Sequence, residues 1–344
     1  MPVKTSEQLH KLTFEIFKAL GAPAGNADLV AKLLVKANLV GHDSHGIIRI
    51  PSYVENIKKK ALDPKASIRI IRNNGATMLV DGRWGFGQVA AWRTMEKTIR
   101  NARKSGTCIS GLFNCNHIGR LADYSTIPLK RSMIGFTMCN GAARVAPFNG
   151  AERMLNPGPL SVAIPSSEEW AVVLDISTSV VAEGKLLVRR KRHEGVPEGW
   201  IIDKDGRPTT NVEDYFNGGA LLPLGGTVGY KGFGLGLIVD ILGGVLTGSG
   251  CASSPDYKGG NGVVMGAVDI SCFTEPKKFV ARVDELLRRI RSSRKAPGAN
   301  EILIPGELES REEARRLKEG IYVEDETWSE LADLGRSLGL DVPN

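Results

Sequence analysis

Cysteine is scarce in this chain, and none of it is arranged for chemistry. The five residues Cys108, Cys115, Cys139, Cys251 and Cys272 are scattered, and no Cys-x-x-Cys pair occurs. That spacing gives neither a zinc ribbon nor a redox pair, and it points to reduced thiols in the cytoplasm. Long apolar runs are missing as well. No stretch approaches the ~18 uninterrupted apolar residues of a membrane span, and Met1 to Gln8 lacks the apolar core of a secretory signal. There is no Walker sequence, no His-Glu-x-x-His and no Gly-x-Ser-x-Gly, which removes the commonest phosphate, zinc-peptidase and serine-hydrolase readings. No metal site is expected, and neither repeats nor a low-complexity linker divide the chain.

What is present is an ordinary soluble composition, 42% hydrophobic and 24% charged over 344 residues, with a net charge of +7. The positive balance does not argue for nucleic acid. Its two dense clusters are Arg189-Arg190-Lys191-Arg192 and Arg288-Arg289-Ile290-Arg291. The second lies on a helix whose apolar positions Val280, Val283, Leu286, Leu287 and Ile290 turn the arginines outward, so both read as solvated faces. An anionic cofactor or substrate is a milder reason for the excess.

The chain begins and ends helical. Thr5 with Gln8 makes a capping box ahead of the stripe Leu9, Leu12, Ile16, Phe17 and Leu20. A second helix spans about Asn26 to Val40 and stops at Gly41, and a third continues from Pro51 toward Lys60. From Ser67 the texture changes to short β-rich runs alternating with helices: Ile68 to Ile71, Thr77 to Val80, Thr107 to Phe113, Ile134 to Met138, Leu160 to Ile164, Ala171 to Leu174 and Val263 to Ile270. The glycine-rich apolar stretch Tyr230 to Leu246 reads as a buried helix. From Lys277 the chain is again charged and helical. The expected architecture is an α/β (α+β) fold. Helical segments 1–75 and 277–344 pack together and carry a polar site; an α/β unit, 76–276, lies between them.

That site is the run Gly41-His42-Asp43-Ser44-His45-Gly46-Ile47-Ile48-Arg49. Imidazole moves protons near neutral pH, and guanidinium grips a carboxylate through two parallel hydrogen bonds. Ser44, His45 and Arg49 sit at a helix junction, where free backbone N–H groups face anions. Together they suggest a site that binds a small organic acid and moves a proton on it. His117, in Asn114-Cys115-Asn116-His117, follows a strand, where α/β proteins bind ligands; alone it reads as structural, and its pairing with His45 raises it. Gly85-Phe86-Gly87-Gln88-Val89-Ala90 comes near the dinucleotide fingerprint. The next strand, however, ends in Asn114 where an acid is required, so it reads as a glycine turn before a helix. Ser177 to Ser179 can cap a helix or hold a phosphate, and Lys231 can snorkel or hold an anion.

In this order the pieces resemble the type-2 malate/L-lactate dehydrogenase family, which also includes sulfolactate, ureidoglycolate and diketogulonate oxidoreductases and cyclic imino acid reductases. The resemblance rests on the run from Gly41 to Gly46 with Arg49, Asn116-His117-Ile118-Gly119, Asp175-Ile176-Ser177, Pro223-Leu224-Gly225-Gly226 with Tyr230-Lys231-Gly232, and Pro305-Gly306-Glu307. It covers most of the chain. It implies a homodimer that binds NAD or NADP in a fold that is not Rossmann, with Ser44, His45, Arg49 and His117 in the active site. Cofactor contacts would come from Gly141, Asp175, Ile176, Ser177, Lys231, Gly232, Pro305, Gly306 and Glu307. Asn156-Pro157-Gly158-Pro159 stands where relatives carry Gly-Thr-Asn-Pro. The implied reaction is hydride transfer on a small 2-hydroxy/2-oxo acid, with Arg49 as carboxylate clamp, His45 as acid/base, Ser44 as its partner and His117 as rival. Reduction of a cyclic imino acid and a non-catalytic ligand-binding role are the alternatives. No nucleic acid or membrane partner is implied.

Overall fold

The computed structural model describes residues 2–342. Helix α1 (Ser6–Ala19) starts from the Thr5 capping box, with Gln8 N donating to Thr5 Oγ1 at 3.2 Å and Thr5 N to Gln8 Oε1 at 2.9 Å. It packs on α2 (Ala24–Leu39) through Leu9, Leu12, Ile16 and Phe17 against Val30 and Leu34. After two short 3₁₀ turns, α3 (Ile50–Lys58) begins with Pro51 in its first turn, where the missing N–H costs no helical bond.

A seven-stranded sheet follows. Its strands are β1 (Arg69–Asn73), β2 (Thr77–Asp81), β3 (Thr107–Cys115), β4 (Met133–Cys139), β5 (Leu160–Ile164), β6 (Val172–Ile176) and β7 (Asn261–Asp269), in the spatial order β1-β2-β3-β7-β4-β5-β6. Only β2 and β3 pair in parallel, and the crossover between them is α4 (Gly87–Ser105); all other pairs are antiparallel. Alternation along β3 turns Cys108, Ser110 and Leu112 inward, where they meet Ala91 and Met95 of α4 and Met265 of β7. The crossover delivers the C-terminal end of β3, and with it His117, to the edge of the helical layer.

Beyond the sheet come α5 (Glu183–Lys191), α6 (Tyr230–Asp240), α7 (Pro276–Ser292), α8 (Glu307–Glu319) and α9 (Asp325–Ser337). A small three-stranded sheet of Ile201–Ile202, Pro208–Thr209 and Ala220–Leu221 shares a separate core with Leu186 of α5 and Tyr215. The chain ends return to its start: Val3–Lys4 pairs antiparallel with Ile321–Tyr322, and Ile321, Val323 and Leu331 enter the core of α1 to α3. The stretch Tyr230 to Leu246 is less buried than its apolar sequence implies. It is α6 followed by a π-helical segment Ile241–Leu246, and Leu235, Ile238, Val245 and Leu246 are 47%, 54%, 67% and 63% exposed. The glycine-rich side faces the sheet, with Gly243 against Asn140 and Gly262, while the large side chains point away. On α7 only Leu287 is buried. Among the described residues no helix is long and apolar enough to cross a membrane.

Candidate active site

The segment from His42 to Arg49 is held from both sides. Asn38, near the end of α2, donates from Nδ2 to Asp43 Oδ1 at 2.6 Å and accepts from Ile47 N at 2.9 Å. Arg316 of α8 adds a two-pronged grip on Asp43, at 2.7 and 3.1 Å, and a bond to the Asn38 carbonyl at 2.7 Å. Below the loop, Ile47 and Ile50 are buried in the helical core, each contributing roughly 1.5–3 kcal/mol to holding it. Residues from both chain ends thus fix the loop before any ligand arrives.

Ser44, His45, Arg49 and His117 come together. Ser44 Oγ lies 3.0 Å from His45 Nδ1, and Arg49 donates from Nε to the Ser44 carbonyl at 2.6 Å. The His45 and His117 rings lie 5.6 Å apart and 25° from parallel, close enough for one small ligand to touch both. His117 Nδ1 is held by the Tyr53 hydroxyl at 2.7 Å, and Gln88 Nε2 donates to that hydroxyl at 2.7 Å. Loss of hydration, then the Arg49 charge, pushes the His45 imidazole down to about 3. The same two causes, with His45 itself, hold His117 well below the usual imidazole range. Burial raises the Tyr53 phenol. Both imidazoles are therefore neutral near pH 7.

The strand end carrying His117 is braced from three directions. Ile118 N donates to Asn261 Oδ1 of β7 at 3.0 Å, and Asn116 Nδ2 donates to the Trp84 carbonyl at 2.9 Å. Gly87, from the near-fingerprint, opens α4 against this strand end. A Cβ there would fall 2.1 Å from the Asn116 carbonyl and 2.3 Å from that of His117. Its glycine serves packing beneath the site and not a pyrophosphate.

A cavity of about 210 Å³ lies beside this cluster, lined by His42, Arg120, Trp170, Asp175, Gly306 and Glu309 among others. Asp175 accepts from Ala122 N at 2.8 Å, and burial raises its carboxyl. Gly306 has φ 97°, and a Cβ there would meet the Ala171 carbonyl at 3.0 Å and Val173, so backbone approaches backbone at this wall. The Asp175 carboxylate can accept from ribose hydroxyls and the side-chain-free backbone at Gly306 lets a ligand approach closely, which suits part of a dinucleotide, while Lys36, Arg120 and His42 are already paired with Glu313, Asp123 and Glu309. The fit comes from the donor set itself. A larger cavity, about 1300 Å³, opens between α1, α2 and α4 and shares Lys36, Arg120, Thr126 and Glu313 with the first; the lining of neither includes any of the four clustered residues.

Of the sequence-derived cofactor residues, Asp175 and Gly306 line the smaller cavity, and Pro305 accepts Val173 N at 3.0 Å to seat the turn. Ile176 pairs with Leu160 in the sheet, and Ser177 Oγ turns back to Ser179. Glu307 is occupied: it pairs with Arg291 and Arg311 and accepts Ile304 N, so it anchors the turn. Gly141 lies by Asn261, Gly232 packs on Leu224, and Lys231 is exposed, its Nζ 6.0 Å from the Tyr230 ring centroid. The residues missed in the sequence are Tyr53, Gln88, Asn38, Arg316 and Gly184. Tyr53 had a usable signal, since it stands four residues after Arg49 on one helix face; Asn38 acts locally, on Asp43 and Ile47, while Gln88, Arg316 and Gly184, which packs against Ser44, are contacts between distant segments. Among the described residues no group of His, Cys, Asp or Glu could hold a metal ion.

Fold and site together are those of an α/β oxidoreductase built on a mixed central sheet. Residues 5–332 match the family described as malate/L-lactate dehydrogenase, and the chain belongs to that family. It is similar to the malate dehydrogenase of Pyrococcus abyssi, 38% identical over 97% of this chain and 94% of that one. It is 34% identical to the L-sulfolactate dehydrogenase of Methanocaldococcus jannaschii, over 98% and 97% of the two chains. The solved structure of malate dehydrogenase from Pyrococcus horikoshii OT3 superposes with a TM-score of 0.91 at 34% identity, covering 99% of this chain and 97% of that one. The chain is accordingly a dehydrogenase.

Proposed function

We propose that this enzyme moves a hydride between a nicotinamide dinucleotide, NAD or NADP, and C2 of a small 2-hydroxy/2-oxo acid of the malate, lactate or sulfolactate type. One observation carries the reading: a guanidinium with no acid partner among the described residues stands in one cluster with two neutral imidazoles, beside a cavity lined by Asp175, Arg120 and Gly306. Asp175, Gly306, Arg120 and His42 would hold the dinucleotide, which when bound supplies or accepts the hydride. Arg49 uses only Nε internally, so its two terminal nitrogens remain to clamp a carboxylate. His45 exchanges the proton with the substrate oxygen, and the Ser44 hydroxyl, donor and acceptor alike, serves Nδ1 in either state.

The basic run offers no support for a 2′-phosphate site. Arg189, Arg190 and Arg192 are ion-paired with Glu194, Glu213 and Glu324, and none lines the cleft. The reading also includes a homodimer, in which the exposed apolar face of α6 and Ile241–Leu246 would cover its counterpart. Five free thiols suit a reducing cytoplasm. The direct test is NADH and NADPH oxidation against pyruvate, oxaloacetate, sulfopyruvate, 2-oxoglutarate and cyclic imino acids. Turnover on a 2-oxo acid is expected; turnover on imino acids alone would replace the proposed substrate class.

A further inference from the structure

We infer that Tyr53 and Gln88 form a positioning pair that locks His117 in its Nε2–H tautomer, making it a fixed hydrogen-bond donor to the substrate oxygen while His45 handles the proton. The inference rests on the hydroxy-acid reading for the identity of that oxygen, but the tautomer itself does not.

Gln88 Nε2 donates to the Tyr53 hydroxyl oxygen, so the phenol hydrogen is free to go to the atom on its other side, His117 Nδ1. A neutral ring that accepts at Nδ1 carries its proton at Nε2. The chain of contacts leaves nothing else for Nδ1 to do, and Nε2 becomes the nitrogen available to a ligand that touches both rings. All three partners are fixed. Gln88 is 1% and Tyr53 4% exposed, Tyr53 belongs to the helical core with Phe17 and Phe86, and the segment bearing His117 is braced by Asn261 and Asn116.

Gln88 Oε1 adds a second observation. It is buried and has no partner, one of three such side-chain atoms among the described residues. An amide buried with an orphaned oxygen is retained for what its N–H does. Here the N–H points the phenol, and the phenol points the imidazole.

His45 is built differently. Its Nδ1 faces the Ser44 hydroxyl, which rotates to donate or accept, so this ring can change protonation without losing its partner. His117 cannot do so without turning Gln88. Two imidazoles 5.6 Å apart thus have separate roles, one exchanging the proton and one holding the oxygen on which charge develops. Tyr53 touches no reacting atom in this scheme and acts through His117.

The test reads the ring nitrogens directly. The chain has five histidines, few enough to resolve by two-bond ¹H–¹⁵N correlation on the free enzyme, with His117 assigned by its loss in His117→Gln. The wild-type ring should show a single Nε2–H tautomer at pH 7, and Tyr53→Phe should give an averaged mixture. Tyr53→Phe should lower kcat at least about tenfold with substrate KM and cofactor affinity nearly unchanged. Gln88→Glu, whose carboxylate can only accept, should draw the phenol hydrogen away and turn His117 to Nδ1–H. An Nδ1–H signal in the wild type, or a tautomer unaltered in Tyr53→Phe, would overturn the inference. Because the spectrum needs no substrate, failure of the proposed reaction and failure of the tautomer lock are separable. Should Tyr53→Phe fold poorly, Gln88→Leu supplies the same readout.

Discussion

Gly184, at the second position of α5, is where one methyl group should decide between two opposing effects. Replacing a helical glycine by alanine ordinarily stabilises a protein by up to about 1 kcal/mol. Here the added Cβ would lie 2.4 Å from Ser44 Cβ and 3.1 Å from Ser44 Oγ. Carbon pairs sit at about 3.5–4.0 Å, so the helix and the His42–Arg49 loop must separate by about 1 Å or more. Overpacking of this kind costs about 1–3 kcal/mol, which outweighs the helical gain. The displaced side chain is the partner of His45, and a misplacement of about 1 Å near the chemistry costs on the order of 10²-fold in rate. Gly184→Ala should therefore melt below wild type and lose about a hundredfold in kcat/KM. The control is Gly25→Ala in α2, where nothing lies within 4 Å of the added Cβ; it should melt at or above wild type with full activity. Both measurements need only a thermal scan and the cofactor-coupled assay. If Gly184→Ala were as stable and as active as Gly25→Ala, the close approach of α5 to Ser44 would not be what sets the site.

Acid should destabilise the fold through its histidines. The folded state holds His45 at about 3 and His117 well below 6.5, whereas the unfolded chain takes up protons near 6.5. Their contribution is full above pH 6.5 and falls as pH drops below it, by up to about 1.4 kcal/mol per pH unit for each group. Asp175, raised by burial, works oppositely, its contribution fading as pH rises through its folded value. Urea midpoints at pH 7 and pH 5 should separate more in wild type than in His117→Gln; equal separations would remove His117 from the acid response. Asn156→Ala should cost about 1–3 kcal/mol, because Asn156 donates to Asp240 at 3.0 Å in the interior and accepts from Gly158 N. The order of substrate preference should persist in that variant, and a changed order would return the Asn156 loop to a role in recognition. The proposed homodimer predicts that the wild-type chain sediments as a dimer and Val245→Glu as a monomer; a dimer unchanged in the variant would place the contact elsewhere, and a monomeric wild type would remove the proposed dimer.

Much of the fold is readable where the signal is local. The Thr5–Gln8 capping box, the stripe of α1, the stop after α2 and the seven strands all lie within residues that declare them. Tyr230 to Leu246 misleads because apolar composition registers hydrophobicity without saying what covers it, and here only the glycine side meets the sheet. Ser44, His45 and Arg49 are legible because one turn of chain holds all three. His117 needed the crossover to reach them, and Tyr53, Gln88 and Arg316 act across separations of 64, 35 and 273 residues, a distance that no periodicity reports. Glu307 shows the converse: the residue was found, yet its carboxylate belongs to Arg291 and Arg311.

The bond from Arg49 Nε to the Ser44 carbonyl ties the proposed carboxylate clamp and the proposed proton handler into a single part. The reacting end of a substrate meets a template whose spacing is set within six residues. Anything beyond its second carbon would be read by other segments, among them the head of α5, where Gly184 packs against Ser44 without belonging to this template. On the proposed roles, chemistry and selectivity would be written in different stretches of the chain, and mutation could retune which acid is accepted while leaving the reaction as it was.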